Sequence, residues 1–122
     1  MAKRVLVVED EPNIIEAVSF FLSRDGWEVF THSNGHDALD AVTHRNPDLL
    51  ILDLMLPGRS GVEILRDLRS DARWENLPVL MLTARGHSRD RAEAEAAGAS
   101  KFMTKPFSNA EILEAVRELA AP

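Results

Sequence analysis

The chain has 122 residues, 45% hydrophobic and 28% charged, a composition suited to one ordinary domain over residues 1–122 with no room for a second core. Acidic side chains outnumber basic ones by 20 to 14, a net charge of -6, and the bases are scattered, so direct nucleic-acid binding is not expected. There is no cysteine, which excludes disulfides, thiolate metal sites and thiol catalysis.

Met1-Ala2-Lys3-Arg4 runs straight into Val5-Leu6-Val7-Val8, a β-branched and leucine run that predicts a buried first strand. No signal-peptide layout precedes it, and no apolar run approaches the ~20 residues of a membrane span, so a cytoplasmic protein without a membrane partner is expected. Glu9-Asp10-Glu11 follow the strand and lead to Pro12, a residue suited to the first position of a helix. Ile14, Ile15, Val18, Phe21 and Leu22 recur at helical spacing until Gly26. Trp27 to His32 alternates like a strand, Ser33-Asn34-Gly35 turns, and Ala38, Leu39 and Val42 mark a second helix that Asn46-Pro47 closes.

Leu49-Leu50-Ile51-Leu52 is the apolar run of a strand buried on both faces, and it delivers Asp53 to its end. Leu54-Met55-Leu56-Pro57-Gly58 then turns. Ser60-Gly61-Val62-Glu63 has the form of a capping box, with Val62, Leu65 and Leu68 on the apolar face of a third helix. Trp74 reads as local cover in a polar loop. Pro78-Val79-Leu80-Met81-Leu82 is a fourth strand ending in Thr83. The helical stretch from Ser88 to Ala97 has only Ala92, Ala96 and Ala97 as an apolar stripe, which makes it the least firmly anchored of five helices. Lys101-Phe102-Met103-Thr104 is a short fifth strand running into Lys105-Pro106-Phe107. A second capping-box pattern, Ser108-Asn109-Ala110-Glu111, opens a helix carrying Ile112, Leu113, Val116 and Leu119.

Five β-α units with right-handed crossovers predict a doubly wound α/β domain, with helices on both faces of a five-stranded parallel sheet in the flavodoxin-like order 2-1-3-4-5. Ligands of such sheets bind at the carboxyl edge. There this order gathers Glu9, Asp10, Asp53, Thr83 and Lys105. Two carboxylates ~5 Å apart at an effective dielectric of ~20 repel by about 3 kcal/mol, so three together call for a cation. Oxygen ligands alone favour Mg²⁺ or Mn²⁺ over Zn²⁺. Such a metal bridges protein oxygens to a phosphoryl group, Lys105 neutralises more of its charge, and Asp53 is then placed as a nucleophile that forms an acyl phosphate. His32, His36, His44 and His87 are spread over different elements, form no metal set and read as surface residues.

Over its whole length the chain resembles the receiver domain of two-component response regulators, the CheY-like family. Val7-Val8-Glu9-Asp10-Glu11, Leu52-Asp53-Leu54-Met55-Leu56-Pro57-Gly58, Leu82-Thr83-Ala84-Arg85, Gly98-Ala99-Ser100 and Lys105-Pro106-Phe107 carry the resemblance. It implies that Asp53 accepts phosphate from a phosphohistidine, and that Asp10, Asp53 and the backbone carbonyl of Met55 hold the metal with support from Glu9. It further implies that Lys105 contacts the phosphoryl group, that Thr83 and Phe102 form a switch, and that the bond before Pro106 is cis. Glu9 stands where many relatives have Asp. Phe102 stands where many have Tyr and has no hydroxyl to hold it from outside.

The partners implied are a sensor histidine kinase or histidine phosphotransfer protein and a downstream protein target. The protein implied is a phosphoacceptor and not a turnover enzyme, and the expected arrangement is a stand-alone receiver that acts by binding. Two other functions compete. A flavin-binding electron carrier on this fold needs a hydroxyl-rich or Gly-rich phosphate loop where Glu9-Asp10-Glu11 would repel a phosphate. A phosphatase of the haloacid dehalogenase type needs a second Asp two residues after the nucleophile, where this chain has Met55.

Overall fold

In the computed structural model, which describes residues 3–84 and 88–121, five strands alternate with five helices. The elements are β1 (Arg4–Val8), α1 (Pro12–Arg24), β2 (Glu28–His32), α2 (Ala38–Arg45), β3 (Leu49–Asp53), α3 (Gly61–Arg69), β4 (Val79–Thr83), α4 (Ser88–Ala97), β5 (Lys101–Thr104) and α5 (Asn109–Ala120). The sheet order is β2-β1-β3-β4-β5 and every pairing is parallel, as the β-α alternation requires. None of the described helices is long and apolar enough to cross a membrane.

The two-residue period of the strands divides the core between the faces of the sheet. Leu50 and Leu52 pack with Leu6, Val8, Val79 and Met81 beneath α2, α3 and α4. Leu49 and Ile51 pack with Val5, Val7, Leu80 and Leu82 beneath α1 and α5. Central strands covered on both sides bury every position, which is why β3 and β4 are apolar throughout until Asp53 and Thr83.

Helix ends follow their local chemistry. Pro12 opens α1, Asn46 closes α2 in the left-handed region at φ 49°, and Ser108 with Glu111 forms a complete capping box on α5. At α3 the expected box is only half made. Ser60 Oγ accepts from Glu63 N–H, but the Glu63 carboxylate is taken by the Ser60 hydroxyl and by Arg59, and it does not reach back to the Ser60 backbone.

The stripe expected on α4 is also corrected. Ala94 and Ala97 are buried, whereas Ala92 and Ala96 face water. Both buried alanines belong to the second half of the helix. That half is fastened further by Arg69, a half-buried guanidinium that donates to the carbonyls of Gly98 at 2.9 Å, Trp74 at 2.9 Å and Glu75 at 3.2 Å. Trp74 itself packs against the core on this side, as local cover should. Of the histidines, His36 and His44 are exposed, His32 is half-buried and pairs with Asp37 at 2.5 Å, and His87 lies outside the described residues.

Candidate phosphoacceptor and metal site

Parallel register brings the polar residues to one edge. Val8 pairs with Leu52, so the residues that follow them, Glu9 and Asp53, emerge side by side. Asp53 in turn pairs with Leu82, the residue before Thr83, and Thr83 pairs with Thr104, the residue before Lys105. The turn after β3 is drawn tight against the sheet: Leu54 N–H donates to Leu82 O at 2.7 Å, and Gly61 N–H to Leu54 O at 2.9 Å. Met55 N–H donates to Asp53 Oδ1 at 3.2 Å, which fixes the carboxylate relative to its own turn, while the Met55 side chain faces solvent. Lys105 N–H donates to the Thr83 carbonyl at 2.7 Å, and the Lys105–Pro106 bond is cis.

Lys105 crosses the edge to the acids. Its Nζ lies 2.5 Å from Glu9 Oε1, 3.2 Å from Asp53 Oδ2 and 3.2 Å from Glu11 Oε1. Glu9, Asp53 and Thr83 are the buried polar side chains of the described core, and Asp10 is exposed beside them. One carboxylate oxygen each from Glu9, Asp10 and Asp53 lies within 4.8 Å of the others. Glu11 is the member that reading the strand ends did not single out. Its signal was its place directly after Asp10, ahead of the helix-opening Pro12.

Burial drives the Glu9 carboxyl up to about 8, its hydrogen bond with Asp53 and the Asp53 charge push the same way, and Lys105 only partly opposes them. For Lys105 the largest single influence is also burial, which lowers its pKa. The Glu9 hydrogen bond, the charges of Asp53 and Glu9 and the Glu11 bond outweigh it, and the ammonium is held above its ordinary range. The second oxygen of Glu9, Oε2, is buried without a hydrogen-bond partner among the described residues. An orphaned carboxylate oxygen within a purely oxygen donor set is the chemistry a hard divalent cation satisfies, so the residues fit Mg²⁺ or Mn²⁺.

Thr83 and Phe102 lie on neighbouring strands, Thr83 buried at the end of β4 and Phe102 half-buried on β5 against the core beneath α4. The ring is not without an outer contact. The Arg91 guanidinium of α4 sits 5.4 Å from its centroid, a cation-π contact that the missing hydroxyl did not foretell. Arg85, in one of the sequence motifs, lies outside the described residues.

A parallel 2-1-3-4-5 sheet covered on both faces, with an acidic cluster at its carboxyl edge, defines the class: a CheY-like α/β domain. The family described as "Response regulator receiver domain" matches residues 5–117, and the chain belongs to it. Solved structures agree. A Chloroflexus aurantiacus chain assigned as a response regulator is 31% identical at TM-score 0.94, with 100% of each chain covered. Chemotaxis response regulator CheY4 of Vibrio cholerae is 29% identical at TM-score 0.91, covering 98% of this chain and 99% of that one. The receiver domain of sensor histidine kinase PA1611 from Pseudomonas aeruginosa, described with a magnesium ion coordinated in its active site cleft, is 25% identical at TM-score 0.89, covering 98% of each. The chain is therefore a phosphoacceptor domain of two-component signalling, a family in which phosphorylation and Mg²⁺ binding are typical. That assignment sets aside the flavin-carrier and dehalogenase-type readings.

Proposed function

We propose that residues 1–122 form one receiver domain in which Asp53 accepts a phosphoryl group from the phosphohistidine of a sensor kinase or phosphotransfer protein. An oxygen of the Asp53 carboxylate forms the new O–P bond as the donor's N–P bond breaks, and water later returns the phosphoryl group as phosphate. The observation that carries this reading is Lys105 Nζ, 3.2 Å from Asp53 Oδ2 in a buried acidic edge. Asp10, Asp53 and the Met55 carbonyl, with Glu9 behind them, would hold Mg²⁺ or Mn²⁺. The bound metal supplies positive charge that offsets the carboxylates and the incoming phosphoryl oxygens. Lys105 supplies further positive charge to those oxygens, and the burial of Asp53 and Glu9 keeps bulk water from screening it.

The Thr83 hydroxyl, at the end of the strand beside Asp53, would donate to a phosphoryl oxygen. Its inward movement would open space for the Phe102 ring, and β4, α4, β5 and α5 would present the altered surface to a downstream protein. The domain assists its own phosphorylation and dephosphorylation and turns over no other substrate. The net charge of -6 supports a protein partner over nucleic acid. Incubation with acetyl phosphate and Mg²⁺ followed by intact-mass measurement tests the reading. One phosphate-sized gain that Asp53→Asn abolishes is expected. A gain that persists in Asp53→Asn would sink the assignment.

A further inference from the structure

We propose that Glu11 is a positioning residue acting through Lys105, the carboxylate that the ammonium releases when a phosphoryl group arrives on Asp53. The inference rests on the function proposed above and deepens it. An ammonium has three donors, and here all three point at carboxylates: Glu9 at 2.5 Å, Asp53 at 3.2 Å and Glu11 at 3.2 Å. Lys105 has no donor to spare for a phosphoryl oxygen, so one partner must yield.

Burial decides which one. Glu9 is fully buried, so taking Lys105 away would strip its Oε1 of a hydrogen bond that water cannot replace. Asp53 is itself the acceptor and keeps its carboxylate beside Lys105 while it carries the phosphoryl group, so the added oxygens ask for a further donor. The Glu11 side chain is 55% exposed, and water replaces the lost bond at small cost. Glu11 also lines a cleft of about 430 Å³ beside Lys105, together with Ile14, Ala84 and Phe107, so its charge stands at an open approach to the site. In the resting state Glu11 thus holds Lys105 at the edge. On phosphorylation it is a competing anion and adds repulsion.

Titration with beryllofluoride, a phosphoryl mimic, at saturating Mg²⁺ and followed by ¹⁹F NMR tests this. Glu11→Gln should bind about two- to fivefold tighter than the unaltered chain, the range an exposed ion pair spans. The gain should shrink as salt is raised, because Glu11 faces water. Glu11→Asp, which keeps the charge, should stay within about twofold of the unaltered chain. In the unaltered chain the Glu11 carboxyl ¹³C resonance should shift on beryllofluoride binding as its contact with Lys105 is lost. Equal or weaker binding by Glu11→Gln, or equal tightening by Glu11→Asp, overturns the proposal and leaves the function of Asp53 standing. Failure of the unaltered chain to take up beryllofluoride overturns both.

Discussion

Gly61 shows how closely the acceptor is held at the scale of a single residue. A Cβ at this position would come within 2.3 Å of the Asp53 carbonyl oxygen and 3.0 Å of Leu54 Cα, both backbone atoms that cannot swing aside. Only glycine lets α3 begin directly under the end of β3. Gly61→Ala should therefore destabilise the domain by about 1–3 kcal/mol, the usual cost of overpacking, read as a lower urea midpoint at unchanged slope. The same backbone shift should slow phosphoryl uptake, since it moves the residue that bears the acceptor. An unchanged midpoint would show that the helix start relaxes without strain. Glu9 illustrates the opposite case, a residue whose oddity lies in its surroundings. Its carboxyl is pushed up to about 8 by burial and by Asp53, although nothing in the side chain itself distinguishes it from the exposed Glu11 two positions on.

Among the elements, α1 and α5 are joined at one end by Asp25 and Arg117, with Arg117 Nη2 at 2.5 Å and Nε at 3.3 Å from the two carboxylate oxygens. The hydrogen bond from Arg117 is the main reason the Asp25 carboxyl lies below its ordinary range. A folded-state pKa that is depressed stabilises fully above the unfolded value of about 3.9, and the stabilisation is lost as pH falls through the folded value. Asp25→Asn should thus cost about 0.2–1 kcal/mol at neutral pH, toward the low end because Arg117 is well exposed. The difference between the two proteins should close as pH drops below about 4, measured by urea unfolding across pH. A gap that is constant down to strongly acidic pH would assign the effect to packing. Along the other face, α4 is fixed unevenly. Its second half buries Ala94 and Ala97 and is followed by Gly98, whose carbonyl Arg69 grips, while Arg91 in the first half touches Phe102 only from outside.

For the whole molecule, the switch proposed above would use the unevenly anchored α4 to carry a change at Asp53 to the surface, by a population shift needing a differential interaction of ~1–3 kcal/mol. Beryllofluoride should move NMR resonances beyond the site most strongly across residues 83–107, and Thr83→Ala should suppress the distant shifts while leaving those around Asp53. Shifts confined to the surroundings of Asp53 would exclude this route. How far such behaviour could be read from the chain follows the range of the forces involved. The apolar runs of the strands, the Pro, Gly and Asn that punctuate them, and the capping serines act on neighbours a few residues away. From these local signals came the five β-α units, the strand order that handedness selects, and the gathering of Glu9, Asp10, Asp53, Thr83 and Lys105 at one edge. Contacts such as Glu11 with Lys105, 94 residues apart, and Arg69 with Gly98, 29 apart, were decided only in the folded state. No periodicity encodes them, because long flexible side chains choose their partners by the burial, distance and competing charge that packing creates.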